Sequence, residues 1–183
     1  MWASTLLYPP SQLIIPQFDD ILGSAVIPEL DEVPVPYFGL AWNAIVAFKD
    51  LITTLPPSSG KQVGVVFIGD NIFYQGDSNI TTKYDGSKTK YFALENLFQG
   101  CVLPLQTGLV PTSCTIKYTG NKVPGKGGPV TQTCAYKAPN RLTTCAFPST
   151  FTDLESVNIA FVPPVTTLKS VLFMDDVNGT VFQ

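Results

Sequence analysis

Short apolar or alternating runs, separated by turn residues, recur along the chain and predict β-strands. Residues 63–68 form an apolar run that ends at Gly69-Asp70, which is typical of a buried strand. Residues 115–118 alternate, which predicts that Ile116 and Tyr118 share one face of a strand. Further strands are predicted over residues 13–18, 72–74, 91–97, 130–136, 143–147, 157–162 and 168–173.

The spacing of these runs predicts the fold class. Pro16 interrupts the first run, which favours an edge strand because proline donates no hydrogen bond to a ladder. Residues 40–55 fit a helix and a strand equally well. About ten short strands at intervals of roughly eight to fifteen residues, without intervening helices, predict an all-β fold, an antiparallel β-sandwich. We expect an extended N-terminal segment over residues 1–12 and a single domain over residues 13–183.

The composition excludes several kinds of chemistry. The 183 residues include no histidine, which removes Ser-His-Asp and Cys-His nucleophiles, histidine-ligated transition metals and a histidine pH switch. There is no run of 18 apolar residues, so we expect no membrane insertion. Five basic residues and no acidic one fall within residues 96–152, but they are dispersed and only one is arginine. Nucleic-acid recognition usually needs a denser basic patch, so we expect no nucleic-acid partner.

Four cysteines predict two disulfides and an oxidising compartment. No Cys-x-x-Cys pair is present, and three pairings of Cys101, Cys114, Cys134 and Cys145 are open. The local pairing, Cys101 with Cys114 and Cys134 with Cys145, would close two short loops, each stabilising by roughly 2–3 kcal/mol. Four free thiols in a cytosolic protein are the alternative.

Two glycosylation sequons also favour secretion. They begin at Asn79 and Asn178, in surroundings whose composition is polar and typical of turns. Residues 1–11 show no secretory signal, since they lack a basic region and reach Pro9-Pro10 early. We therefore expect a mature secreted or wall-bound chain, with Met1 added for expression.

A succession of short motifs resembles a group of small secreted fungal proteins of largely unknown function. The motifs are Phe-Asp-Asp at 18–20, Tyr-Phe-Gly-Leu-Ala-Trp at 37–42, residues 92–101, residues 114–120, residues 147–154 and residues 172–177. The resemblance implies a galactose-binding-like jelly roll, similar in shape to many carbohydrate-binding modules, and implies no catalytic residues. The chain departs from the group in the pair Cys134 and Cys145 and in Asp176, where the group tends to have asparagine.

Two acidic pairs, Asp19-Asp20 and Asp175-Asp176, are candidate metal ligands. The first and last strands of a jelly roll often lie side by side, so both pairs could meet at one edge. Strand alternation would direct only one member of each pair to a given face. Facing carboxylates are stabilised by a hard cation, and a structural calcium ion is the cofactor that this arrangement predicts. The alternative is that these side chains are solvated or cap neighbouring amides.

Carboxylates could also serve as a glycosidase pair. The further candidates Asp70, Asp77, Asp85, Glu95 and Asp153 have no spacing that selects an acid and a base. A hydrolase is therefore disfavoured. Glu95 fits a hydrogen-bonded structural role equally well.

Sugar binding needs an aromatic face and polar side chains that reach hydroxyl groups. The polar, aromatic segment 74–84 offers both, and the predicted contact residues are Tyr74, Asp77, Lys83 and Tyr84. A glycan on Asn79 would obstruct this region, and Tyr37 and Trp42 fit core positions better than ligand contacts.

Two function classes follow from these features. The first is a secreted, non-catalytic module that binds a polysaccharide or a cell-surface glycan, which a row of exposed aromatic rings would favour. The second is an effector that binds a protein partner, which a large apolar patch would favour. A histidine-independent enzyme is a third alternative, which a deep pocket containing a carboxylate with a shifted pKa would favour.

Overall fold

Thirteen β-strands account for the regular structure of the described residues in the computed structural model, which are 10–21, 30–49, 55–67, 78–105, 108–162 and 170–183. In chain order the strands are β1 (Ser11–Ile14), β2 (Leu30–Glu32), β3 (Ala41–Asn43), β4 (Ile45–Lys49), β5 (Gln62–Phe67), β6 (Asn79–Thr81), β7 (Tyr91–Leu105), β8 (Gly108–Pro111), β9 (Cys114–Lys122), β10 (Val130–Tyr136), β11 (Thr143–Ala146), β12 (Leu154–Phe161) and β13 (Val171–Phe182). Within these ranges no helix has the length and hydropathy needed to cross a membrane.

The strands form two hydrogen-bonded groups, and every ladder between described strands is antiparallel. One group runs in the order β10, β9, β12, β6 and β3. The other runs in the order β7, β13, β5, β4 and β2, with β1 added to β13 and with β8 and β11 added to β7. A single pair of opposed residues, Leu154 of β12 and Phe92 of β7, joins the two groups. These groups are the two layers of the fold, and the predicted all-β antiparallel class is confirmed.

Burial along the strands follows the sequence pattern. Residues 63–66 of β5 and residues 171–175 of β13 are buried at every position, because each strand lies between two others and is covered on both faces. In β9 the burial alternates, and Ile116 and Tyr118 have no exposed surface whereas Lys117 is exposed. The predicted buried strand is confirmed over residues 63–66, the predicted alternation at 115–118 is confirmed, and residue 68 lies outside the described ones.

Residues 40–55 form strands where the structure describes them. β3 and β4 are separated by Ala44, which has a φ of 53° and turns the chain between them. The helical alternative is therefore wrong for residues 41–49, and residues 50–54 lie outside the described ones, as does the predicted strand 72–74. Three short strands, β2, β6 and β8, were not predicted from the sequence pattern.

Both disulfides join one layer to the other. Cys101 of β7 is bonded to Cys114 of β9, with their Cα atoms 6.2 Å apart. Cys134 of β10 is bonded to Cys145 of β11, with their Cα atoms 5.8 Å apart. The sequence left three pairings open and the structure has the local one, and no described cysteine is left as a thiol.

The first and last strands lie side by side, as expected. β1 pairs with β13 over four residues, from Ser11 opposite Phe182 to Ile14 opposite Gly179. β1 makes no other ladder among the described strands, which confirms its predicted edge position. The strand begins at Ser11, inside the extended N-terminal segment that the sequence predicted over residues 1–12.

Candidate functional site

Three of the four predicted metal ligands contact one segment, residues 58–62, which leads into β5. Asp175 Oδ2 accepts hydrogen bonds from the amides of Ser58 (2.8 Å) and Ser59 (2.9 Å). Asp19 Oδ1 accepts hydrogen bonds from the amides of Lys61 and Gln62. These two carboxylates therefore serve as acceptors for four backbone amides of this segment, and Asp175 Oδ1 accepts a fifth from the amide of Asp176 (2.8 Å).

The second member of each acidic pair has a different partner set. Asp176 Oδ1 accepts hydrogen bonds from Gln17 Nε2 (3.0 Å) and from the Ser59 hydroxyl (2.8 Å). Asp20 Oδ1 accepts a hydrogen bond from the Tyr37 hydroxyl (2.6 Å). Asp175 and Asp176 thus both contact Ser59, although Asp175 is buried and Asp176 is half-buried. The ladder between β13 and β7 is irregular between Asp175 and Asn178, where Asp176 has a φ of 44°.

These contacts are of the kind that the amide-capping alternative predicts. Among the residues that the structure describes, no three acidic, cysteine or histidine side chains are grouped so that they could hold a metal ion. Calcium binding at Asp19, Asp20, Asp175 and Asp176 stays a prediction, to be tested in solution.

Burial changes the acid–base properties of this region. Asp175 has no exposed surface, and burial raises its pKa to about 7, against the lowering effect of its amide partners. Burial, with the hydrogen bond to Asp20 as the next cause, raises the pKa of Tyr37. The carboxyl group with the shifted pKa therefore lies among backbone amides and is not part of an open pocket.

A polar cleft of about 500 Å³ lies where the loop 82–90 faces the start of β12. Four hydroxyl-bearing residues line it: Thr82, Tyr84, Ser87 and Thr89. Three charged residues complete the lining: Lys83, Lys90 and Glu155. The cleft therefore combines an aromatic ring, hydroxyl groups and both signs of charge.

The turn at residues 37–40 fixes one side of the cleft. The Thr89 hydroxyl donates a hydrogen bond to the Gly39 carbonyl (2.7 Å), and the Tyr84 hydroxyl donates to the same oxygen (3.3 Å). Gly39 has a φ of 74°, and a Cβ atom there would lie 3.1 Å from Thr89 Oγ1, so glycine suits this position on both counts. The indole of Trp42 donates to the Tyr37 carbonyl (3.0 Å) and holds the turn to the core. Tyr37 and Trp42 are buried, as the sequence predicted.

The charges of the cleft are only partly compensated. Lys83 Nζ lies 2.9 Å from Glu155 Oε1, and the Lys83 side chain is 70% exposed. Such an exposed pair contributes little to folding stability, roughly 0–1 kcal/mol. Lys90 has no ion-pair partner within the described part of the chain. The cleft therefore has one carboxylate, which is already paired, and one uncompensated ammonium group.

The structure brings together two of the four predicted sugar contacts. Lys83 and Tyr84 both line the cleft, whereas Tyr74 and Asp77 lie outside the described residues. Sequence reasoning missed Glu155, Thr89 and Lys90 as lining residues. Glu155 lies more than seventy residues from Lys83 in the chain, and no local pattern connects the two.

Tyr84 differs from the other described tyrosines because its ring is neither buried nor stacked on another described aromatic ring. Tyr37, Tyr118 and Tyr136 are buried, and the ring of Tyr91 is stacked on Phe182 at 4.6 Å. Tyr84 is half-buried, and no described aromatic ring packs against it. Its ring is therefore the one best placed among these tyrosines to contact a ligand.

The two sequon asparagines lie in strands, whereas the sequence predicted that they lie in turns. Asn79 lies in β6, and its side-chain oxygen accepts a hydrogen bond from Asn43 Nδ2 (3.0 Å). Asn178 lies in β13 and donates through Nδ2 to Asn96 Oδ1 (3.2 Å). Glycosylation at Asn79 and Asn178 stays a prediction, and a glycan would have to be attached to side chains that take part in these cross-strand contacts.

No family model matches the chain, and no curated protein matches it significantly. Among solved structures, the chain is similar to the K2 cleaved adhesin domain of Lys-gingipain, with 11% identity and a TM-score of 0.44 over 91% of this chain and 97% of that chain. It is also similar to CBM28, a carbohydrate-binding module specific for non-crystalline cellulose, with 14% identity and a TM-score of 0.41 over 85% of this chain and 93% of that chain. These values are too low to transfer any property of either protein to this chain, and the resemblance to small secreted fungal proteins stays a prediction.

Proposed function

We propose that this protein is an extracellular, non-catalytic glycan-binding module and that the cleft around Tyr84 is its binding site. The observation that carries the proposal is the half-buried ring of Tyr84, which has no aromatic partner among the residues that the structure describes and lies beside Lys83, Lys90 and Glu155. Aromatic faces pack against the apolar face of a sugar ring, and charged side chains exchange hydrogen bonds with its hydroxyl groups. Two disulfides between the layers are consistent with an oxidising location.

Binding to a glycan array and to insoluble polysaccharides tests this proposal. We expect the unmodified protein to be retained and Tyr84→Ala to lose at least tenfold in affinity. Tyr91→Ala is the matched control, because Tyr91 is also half-buried but is stacked on Phe182 and does not line the cleft. Circular dichroism of both variants checks that the fold is intact. Retention of no glycan, or equal loss in both folded variants, would contradict the proposal.

A protein partner is the second candidate, and exposed apolar side chains on the β7–β8 hairpin favour it. Leu105 and Val110 are 47% and 42% exposed. In the ladder Val110 is opposite Leu103, and Leu103 and Leu105 are two positions apart on the same strand. The side chains of Leu105 and Val110 therefore lie on the same face of the hairpin. If this hairpin carries the function, Leu105→Ser will abolish attachment to a target surface while Tyr84→Ala leaves attachment unchanged.

A further inference from the structure

Two lysines provide most of the hydrogen-bond donors that a ligand can reach in the cleft. Thr82 and Thr89 line the cleft but are buried, at 5% and 7% exposed, and their hydroxyl groups donate to backbone carbonyls. Lys83 and Lys90 are both exposed. Each ammonium group carries three N–H donors and no acceptor. A ligand in the cleft therefore meets several free donors.

The lining of the cleft carries a net positive charge. Lys83 and Lys90 are opposed by one carboxylate, that of Glu155. The ammonium group of Lys83 lies 2.9 Å from this carboxylate and balances it, whereas Lys90 has no ion-pair partner among the described residues. The chain as a whole has a formal net charge of −3. The cleft is therefore opposite in sign to the rest of the molecule.

Backbone hydrogen bonds fix both ends of the loop that bears these lysines. The Thr82 amide donates to the Glu155 carbonyl (2.9 Å), next to Lys83. The Lys90 amide donates to the Phe182 carbonyl (2.8 Å), at the end of β13. The backbone at both lysines is thus positioned before a ligand arrives, which lowers the entropy that binding must remove.

We propose that the cleft selects an acidic saccharide, whose carboxylate or sulfate group accepts hydrogen bonds from the ammonium group of Lys90 while a sugar ring packs against Tyr84. Both anionic groups present charged oxygens that accept hydrogen bonds, and charge-assisted hydrogen bonds are stronger than those between neutral groups. A neutral saccharide would leave the charge of Lys90 uncompensated. This inference rests on the proposed function and narrows its ligand class.

The test compares acidic oligosaccharides with neutral forms of the same length and linkage. The probes are an oligogalacturonate, its carboxyl-reduced form and the sulfated derivative of that reduced form. We expect an acidic probe to bind about tenfold more tightly than the reduced probe at low ionic strength, as one charge-assisted hydrogen bond implies. The difference should shrink as NaCl is raised from about 0.02 M to about 0.5 M, because salt screens exposed charges. The tighter acidic probe identifies the anionic group.

Lys90→Gln removes the uncompensated charge and keeps a polar side chain. We expect the ratio of acidic to neutral affinity to fall by at least threefold in this variant. Lys88→Gln is the matched control, because Lys88 is an exposed lysine of the same loop that does not line the cleft, and its replacement changes the net charge equally. Glu155→Gln should raise the ratio, because it removes the carboxylate of the lining and releases Lys83. Circular dichroism checks that each variant is folded.

The outcomes separate this inference from the proposed function. Tyr84-dependent binding that does not favour an acidic probe would overturn the ligand class and leave the glycan site in place. Equal effects of Lys90→Gln and Lys88→Gln on the ratio would do the same, since they would report the net charge of the chain and not the cleft. Binding that Tyr84→Ala leaves unchanged, or retention of no glycan on the array, would overturn the proposed function and this inference with it.

Discussion

The amide of Ser59 donates a hydrogen bond to the buried carboxylate of Asp175 at 2.9 Å, across 116 positions of sequence. Ser58 donates to the same oxygen, and the strand that follows, β5, pairs with β13 beginning at Gly64 opposite Met174. The hydrogen bonds to Asp175 therefore attach residues 58–59 to β13 next to the point where the ladder between β5 and β13 ends. The amides of Ser58 and Ser59 have no strand partner at this point, and the carboxylate satisfies them.

Stability should rise as the pH falls from 8 towards 5, to the extent that Asp175 determines it. Its pKa is raised to about 7 in the folded chain, whereas an unfolded aspartate titrates near 3.9. The protonated form is thus favoured by folding, and its contribution is complete below about pH 4 and is lost as the pH rises through 7. Urea unfolding at pH 5, 6, 7 and 8 measures this trend.

Asp175→Asn is the control for this trend, because it approximates the protonated carboxyl group and does not titrate. Subtracting its stability profile from that of the unmodified protein removes the contributions of the other carboxylates. We expect the difference to grow between pH 5 and pH 8, with a slope below the limit of about 1.4 kcal/mol per pH unit for one proton. A difference that is independent of pH would contradict the raised pKa.

Addition of a calcium chelator should leave the thermal unfolding midpoint unchanged. Calcium binds six to eight oxygens, but Asp19 and Asp175 already accept hydrogen bonds from five backbone amides. Differential scanning calorimetry with EGTA and with added CaCl₂ decides the question. A midpoint that rises by several degrees with calcium would establish the metal site that the sequence predicted at the acidic pairs.

Local patterns in the sequence were sufficient to predict much of the fold. The apolar run at residues 63–66 indicates that β5 is covered on both faces. The alternation at Ile116 and Tyr118 indicates that β9 is covered on one face. The disulfides join cysteines 13 and 11 positions apart in the chain, a pairing that the sequence offered as one of three. Each of these features depends on residues that are close in the chain.

The candidate site depends on contacts between distant segments, which a single sequence does not reveal. Lys83 meets Glu155, and Thr89 meets Gly39, with no shared motif between the partners. Asp175 and Asp176 share a contact with Ser59, which is 116 and 117 positions away in the chain, and no local pattern indicates it. Lys83 and Tyr84 were predicted because they lie next to each other in a polar, aromatic loop.

Tyr118→Phe should destabilise the protein by about 1–3 kcal/mol, because it leaves a buried acceptor without its donor. The Tyr118 hydroxyl of β9 donates to Gln99 Oε1 of β7 at 2.7 Å, and Tyr118 and Gln99 are 0% and 1% exposed. Urea unfolding measures the change. Tyr91→Phe removes a hydroxyl from a half-buried ring and should change stability by less than about 0.5 kcal/mol. Equal effects of the two substitutions would show that the Tyr118 hydrogen bond contributes nothing specific.

Removal of the disulfide between Cys134 and Cys145 should weaken one edge of the fold more than the rest. Among the described strands β10 pairs with β9 alone, and it is connected to β11 of the other layer by the disulfide and by a hydrogen bond from Gln132 Nε2 to the Ala146 carbonyl (3.0 Å). The double variant Cys134→Ala/Cys145→Ala should lose roughly 3 kcal/mol, as expected for a closed loop of this size.

Hydrogen exchange locates that loss. We expect the amides of β10 to exchange faster in the double variant while those of β5 and β13 keep their relative protection, because β10 has a ladder partner on one side only. Cys101→Ala/Cys114→Ala is the matched control, since it opens a loop of similar length but joins β9 to β7, and β9 is held by ladders on both sides. If the two double variants raise exchange in β10 equally, the Cys134–Cys145 bond stabilises the whole chain and does not hold this edge in particular.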